Sequence, residues 1–194
     1  MASWFSTARA CSAGAVLAAA VLVPACRRAD PLPVFGAVPQ FELTAQTGGP
    51  FDSRSLDGNV WVADFIFTTC PGPCPRMTAQ MKQVQRAMSG KPDVRMVSIS
   101  IDPKRDTPAV LAAYAGKFHA DTSRWTFLTG PRDSIQNLSR NVFMLGDVDD
   151  TLQHSTRFVL VDRRRRIRGF YDTSEPGSIP SLVRDIQSVL KETS

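Results

Sequence analysis

The chain has 194 residues, 21% charged and 43% hydrophobic, with eleven Phe, three Trp and a formal net charge of +5. That length suits one ordinary domain with some extra chain, and the apolar content is enough for one packed core, which excludes a wholly disordered protein. The four cysteines, Cys11, Cys26, Cys70 and Cys74, inform through their placement rather than their number.

The first 26 residues stand apart from that core. Arg9 is the only charge before residues 13–23, an unbroken run of small and apolar residues, and Val23-Pro24-Ala25-Cys26 closes it. A charged start, a short apolar stretch and small residues before a cleavage point describe an export signal. The run is too short for a comfortable spanning helix, which needs about 20 apolar residues. Its last four residues resemble the lipobox of bacterial lipoproteins, although Pro24 is unusual at its position. Cys26 is then the lipidated first residue of the mature chain. An uncleaved anchor and a plain cleaved signal are the alternatives, and all three place the domain outside the cytoplasm. The expected organisation is a lipoprotein-type signal peptide at 1–25, an anchor cysteine and proline-rich tether at 26–39, and the domain at 40–194. The expected location is the periplasmic face of a bacterial membrane. Removing residues 1–25 loses only Arg9 from the charged set, leaving 22 basic and 18 acidic residues, net +4. So modest a charge on an exported domain does not point to nucleic acid. Cys70 and Cys74 remain as the free thiols, and a lone close pair in an oxidising compartment reads as a redox or metal site.

Pro31, Pro33 and Pro39 mark the extended tether. Phe41-Glu42-Leu43 and Phe51, separated by Thr47-Gly48-Gly49-Pro50, predict a hairpin. Residues 60–67 (VWVADFIF) predict a buried strand. Met77, Met81, Val84 and Met88 recur at helical spacing, with Lys82 and Arg86 pointing away. Near a cysteine pair that methionine stripe invites a metal-ligand reading; the core reading is preferred, because the same face must cover the strands. Residues 94–101 predict a strand. Asp106-Thr107-Pro108 supplies an N-cap and first-turn proline for a helix carrying Leu111, Tyr114 and Phe118. A short strand at 125–128, a helix opened by Pro131, strands at 155–161 and 167–171, and a closing helix at 178–190 complete the chain. Strands alternating with helices imply an α/β sandwich with parallel pairs.

The densest signal is Thr69-Cys70-Pro71-Gly72-Pro73-Cys74-Pro75, between a strong strand and an amphipathic helix. Its prolines and glycine predict a tight, exposed loop that sets Cys74 at the helix N-terminus. Unpaired amides there lower a thiol's pKa and favour the thiolate that attacks disulfides and binds metal. Sulfurs four residues apart can close as a disulfide or pinch one ion; so short a loop gains little as an inert staple. A four-cysteine zinc site is excluded by count, and a site of two cysteines and two histidines would need both histidines in the chain. His119 reads as a surface residue. His154 immediately precedes a strand, and no proline lies between Pro131 and Pro176. In thioredoxin-like folds that position faces the cysteine loop and usually holds a substrate-guiding cis-proline.

With these residues in place, the chain resembles the Sco/SenC family of copper-binding, thioredoxin-like proteins that serve cytochrome c oxidase assembly. The matching residues are Cys70-Pro-Gly-Pro-Cys74-Pro75; Ser98-Ile-Ser-Ile-Asp102-Pro103-Lys-Arg105-Asp106-Thr107-Pro108; Phe127-Leu128-Thr129-Gly130; and His154-Ser155 with Phe158-Val-Leu-Val-Asp162. Similarity covers about residues 41–190. The resemblance implies an α/β thioredoxin-like sandwich, a central mixed sheet flanked by helices, with an N-terminal β-hairpin. It implies Cys70, Cys74 and His154 as copper ligands, with Cys70 and Cys74 also a redox disulfide pair. It implies cytochrome c oxidase subunit II, through its CuA domain, as partner, and leaves open another periplasmic copper carrier. The rival function is a thiol:disulfide oxidoreductase that reduces the cysteines of that same copper site. A peroxidase is disfavoured, because no P-x3-[ST]-x2-C arrangement precedes Cys70. Two departures stand out: Gln153 where the family often has an acid, and Arg163-Arg164-Arg165-Arg166 where a turn often carries glycine. The arginine run reads as a solvated turn or as a docking patch for an acidic partner or anionic lipid. Asp147, Asp149 and Asp150 read as a solvated loop, and Asp102 and Asp106 as turn and cap residues.

Overall fold

The computed structural model describes Met1 and residues 31–146 and 155–192; the signal region, Cys26, His154 and the acidic loop at 147–150 lie outside them. Residues 31–194 form one unit and residues 1–30 another. The described strands are β1 (Gly36–Ala37), β2 (Glu42–Ala45), β3 (Pro50–Asp52), β4 (Val60–Ile66), β5 (Val94–Ser100), β6 (Trp125–Thr129), β7 (Arg157–Val161) and β8 (Arg166–Asp172). The helices are α1 (Pro73–Ala87), α2 (Pro108–Lys117), α3 (Arg132–Asn137) and α4 (Ser178–Lys191). A π turn, Leu138–Val142, continues α3.

One mixed sheet runs β1-β8-β7-β4-β5-β6-β2-β3. The pairs β4–β5 and β5–β6 are parallel, as the intervening α1 and α2 require, and every other pair is antiparallel. All seven residues of β4 are buried, which explains why its sequence is a near-continuous apolar run instead of an alternation. The predicted hairpin is β2–β3, with Leu43 opposite Phe51, and β2 sets it on the outer edge of β6.

The methionine stripe is core. Met77, Met81, Val84 and Met88 are fully buried beneath α1, and flexible thioethers suit the uneven floor of a sheet. Tyr114 of α2 lies on the same face, its ring 6.2 Å from Phe127, and α4 packs beside α1. On the opposite face Phe143, just beyond the π turn, meets Trp61 and Phe65 edge-on at 6.0 and 5.7 Å.

The segment read as an extended tether is docked from Leu32 onward. Phe35 and Val38 donate backbone hydrogen bonds to Ile167 and Arg165 at 2.9 and 2.8 Å, adding β1 to the edge of β8. Buried Arg168 donates to the carbonyls of Leu32 and Pro33 and to the carboxylates of Asp162 and Glu192. Prolines fit here because an edge strand needs few amide donors. The arginine run is a hairpin turn stitched to the domain. Arg163 pairs with Asp93, Arg165 with Asp57 and Arg166 with Asp162, leaving Arg164 as the exposed member. Arg165 occupies the left-handed region (φ 61°), where a glycine would sit without strain.

Candidate metal centre

β4 delivers the chain to one end of the sheet, and the loop Phe67–Gly72 turns it back into α1. The amide of Cys70 donates to the carbonyl of Phe67 at 3.3 Å. Pro73 opens the helix, where a missing amide costs no hydrogen bond, so Cys74 falls in the first turn as the spacing predicts. The elbow itself is exposed at Thr69, Pro71, Gly72 and Pro75. Its sulfurs are not. Cys70 is 8% exposed and Cys74 is fully buried, and both are reduced, with no disulfide between them. The two side chains are in hydrogen-bond contact.

Burial corrects the expectation of an activated Cys74. The helix N-terminus is where the sequence puts it, but desolvation pushes the thiol's pKa up, and the hydrogen bond to Cys70 adds to the rise; a backbone hydrogen bond involving Phe67 opposes both. The Met stripe beneath draws the first turn into the core, and loss of water outweighs the terminal amides. Cys74 is therefore held as a neutral thiol until a metal or an oxidation removes its proton.

Behind the pair lies a polar cluster that the strand reading passed over. Asp64, at the centre of β4, is fully buried. One carboxyl oxygen accepts from Ser98 at 2.6 Å, Ser98 in turn accepts from the Trp125 indole at 2.9 Å, and the other oxygen has no partner among the described residues. Burial pushes Asp64 up to about 7, against the Ser98 hydrogen bond. Thr78 donates to the carbonyl of Cys74 at 2.9 Å and shares a 2.8 Å contact with the Tyr114 hydroxyl. A lone acid inside VWVADFIF was the available sequence signal.

Asp106 also differs from its expectation. Thr107, not Asp106, caps α2, accepting the amide of Val110 at 3.4 Å. Asp106 is fully buried and points toward the cysteine loop. Asp102 holds the turn as read: its carbonyl accepts the amides of Arg105 and Asp106, and its carboxylate pairs with Arg105. His119 is exposed at the end of α2, consistent with a surface role. Among the described residues no group of three metal-binding side chains converges, and no helix is long and apolar enough to cross a membrane.

The SCO1/SenC family model matches residues 33–191. The chain belongs to the SCO1/SenC family. It is 32% identical over 157 residues to the SCO1 protein homolog of Bacillus subtilis, covering 78% of this chain and 81% of that one. Among solved structures it is similar to a SCO1/SenC family lipoprotein from Bacillus anthracis, at 36% identity and a TM-score of 0.75 over 80% of this chain and 96% of that one. It is similar to BsSco, described with a disulfide switch, at 29% identity and a TM-score of 0.72 over 84% of this chain and 99% of that one. ScoI of Bradyrhizobium japonicum, solved with copper bound, matches at 26% identity and a TM-score of 0.66 over 79% of this chain and 99% of that one. The mixed sheet with its helices is the expected thioredoxin-like Sco fold. The Sco family is one of cytochrome c oxidase assembly proteins.

Proposed function

We propose that this chain carries one copper ion on Cys70, Cys74 and His154 and delivers it to the CuA site of cytochrome c oxidase subunit II. It acts from a lipid anchor at Cys26 on the periplasmic face. The observation that carries the reading is the pair of buried, reduced, touching sulfurs at the head of α1. Two thiolates and an imidazole suit Cu(I), and the same set accepts Cu(II) with a further weak ligand. Three ligands leave the cargo transferable, unlike a closed structural site. Because the Cys74 thiol is held protonated by burial, loading releases a proton and tightens as pH rises. β7 runs antiparallel to β4, with Ala63 opposite Val159. Its first residue, Arg157, therefore lies at the end of the sheet from which the cysteine loop departs, and His154 precedes Arg157 by three residues. The copper-bound relative supports the cargo, the family's role in oxidase assembly supports the partner, and the lipoprotein relative supports the anchor.

The test is anaerobic Cu(I) titration of the reduced, purified chain, followed by oxidation. One copper per chain with thiolate-to-Cu(II) charge-transfer bands is expected, with affinity collapsing in His154→Ala. Absence of stable binding overturns the carrier reading, and unchanged affinity in His154→Ala removes that residue from the ligand set.

A second reading draws on the same sulfurs. As an oxidoreductase, the Cys70–Cys74 dithiol would give two electrons and two protons to a disulfide of the CuA cysteines, ending as its own disulfide. The disulfide switch of BsSco favours keeping it. Disulfide exchange that survives in His154→Ala, in a chain that binds no copper, would move the assignment there.

A further inference from the structure

Asp106 is fully buried and holds three donors at once. Its Oδ1 accepts the Thr68 hydroxyl at 2.5 Å; its Oδ2 accepts the Thr68 amide at 3.1 Å and the Ser100 hydroxyl at 2.5 Å. Ser100 is the last residue of β5, and its hydroxyl also accepts the amide of Asp102 at 3.0 Å. Asp106 itself is fixed by its amide, which donates to the Asp102 carbonyl at 2.9 Å, and by the capped start of α2 that follows it. One carboxyl group thus joins the end of β5, the entry to α2 and the loop two residues before Cys70.

The placement has a specific consequence for the sulfurs. Cys74 is held by α1 and the core beneath it. Cys70 lies in the loop, beyond the last ladder contact of β4, where Ile101 donates to Ile66 at 2.9 Å. We infer that Asp106 is a positioning residue: through Thr68 it sets where Cys70 lies and keeps its sulfur against that of Cys74. The inference rests on the reading of Cys70 and Cys74 as the working pair, but it concerns their geometry without copper.

The experiment measures closure of the pair in the metal-free full chain, by equilibration in glutathione buffers. Two cysteine thiols and one glutathione disulfide give the Cys70–Cys74 disulfide and two glutathione thiols, so the equilibrium constant reports the effective concentration of one sulfur for the other. Asp106→Asn keeps the size but turns an NH2 group, or a weaker acceptor, toward three donors; a tenfold or greater fall in that constant is expected. Thr68→Val removes one of the three hydrogen bonds and should give a smaller fall in the same direction, while Thr68→Ser, which keeps the hydroxyl, should stay at the wild-type value. A merely structural role would lower the melting temperature and leave closure unchanged well below it. A folded Asp106→Asn with the wild-type constant overturns the inference. If Asp106→Asn does not fold, an unchanged constant in Thr68→Val overturns it instead. Copper binding is recorded separately: loss of binding with unchanged closure would count against the positioning role, and unchanged closure chemistry with no copper site in the wild type would count against the carrier reading alone.

Discussion

Asp64 is buried at the centre of β4 with one carboxyl oxygen bonded to Ser98 and the other without a partner among the described residues. Burial lifts its pKa from 3.8 to about 7. The unfolded chain releases this proton near pH 4, whereas the folded protein keeps it until about pH 7. The native state therefore binds more protons across that window, and stability falls as pH rises through it. The shift of about three pKa units, at about 1.36 kcal/mol each, corresponds to about 4 kcal/mol lost between acid and neutral pH. Asn has the shape of the protonated acid, keeps an acceptor for Ser98 and cannot ionise. Asp64→Asn should match the wild type near pH 4 and exceed it by several kcal/mol near pH 8. Urea unfolding of both reduced, metal-free proteins across that range isolates the effect, since every other titrating group is common to the two. A stability difference that stays constant with pH would refute the reasoning, because it would mean that Asp64 does not titrate between the folded and unfolded values.

Arg168→Met removes the clamp on the docked N-terminal segment and leaves Asp162 and Glu192 short of a buried partner, so a loss of about 3–5 kcal/mol is expected. Hydrogen exchange should quicken at the Phe35 and Val38 amides; unchanged exchange there would sink the clamp. Gly169→Ala places a Cβ 2.7 Å from the Tyr171 hydroxyl and 2.9 Å from its ring, displacing the tyrosine from its 2.7 Å hydrogen bond to Asp185. A cost of about 1–3 kcal/mol should appear as a lower denaturation midpoint, and an unaltered midpoint would show that Tyr171 moves freely. Arg165→Gly sets two small effects against each other: relief of about 1 kcal/mol of left-handed strain and loss of a half-buried pair with Asp57 worth up to about 1 kcal/mol. Thermal melting should find the variant within about 1 kcal/mol of the wild type, and a larger loss would mean that the ion pair matters more than its exposure implies.

Most of the sheet was legible because its signals are local. The predicted run at 60–67 is β4 to within one residue, and the period of the Met stripe placed α1's buried face correctly. β1 was not legible. It has two residues, follows prolines that read as tether, and exists because Arg168, more than 130 positions away, reaches back to the carbonyls of Leu32 and Pro33. No periodicity encodes such a contact; only a buried arginine in a strand hints that something must surround it. The arginine run was ambiguous for the same reason, since its acids, Asp57 and Asp93, come from distant turns.

At the candidate site the division is sharper. The cysteine pair announced itself through its proline-rich loop, and its place at the start of α1 followed from the chain. Its chemistry did not follow, because the rule that helix N-termini favour thiolates assumes water at the sulfur. In this fold the methionines that build α1 also draw Cys74 out of water, so the same local pattern that positions the thiol keeps it protonated. A group held neutral in this way is not a free nucleophile. It gives up its proton when something replaces that proton, a metal ion or a partner sulfur, and both proposed uses of the pair share that requirement. His154→Ala separates the two uses, because copper carriage with the proposed third ligand would be lost in that variant while oxidation of the dithiol to its disulfide would persist.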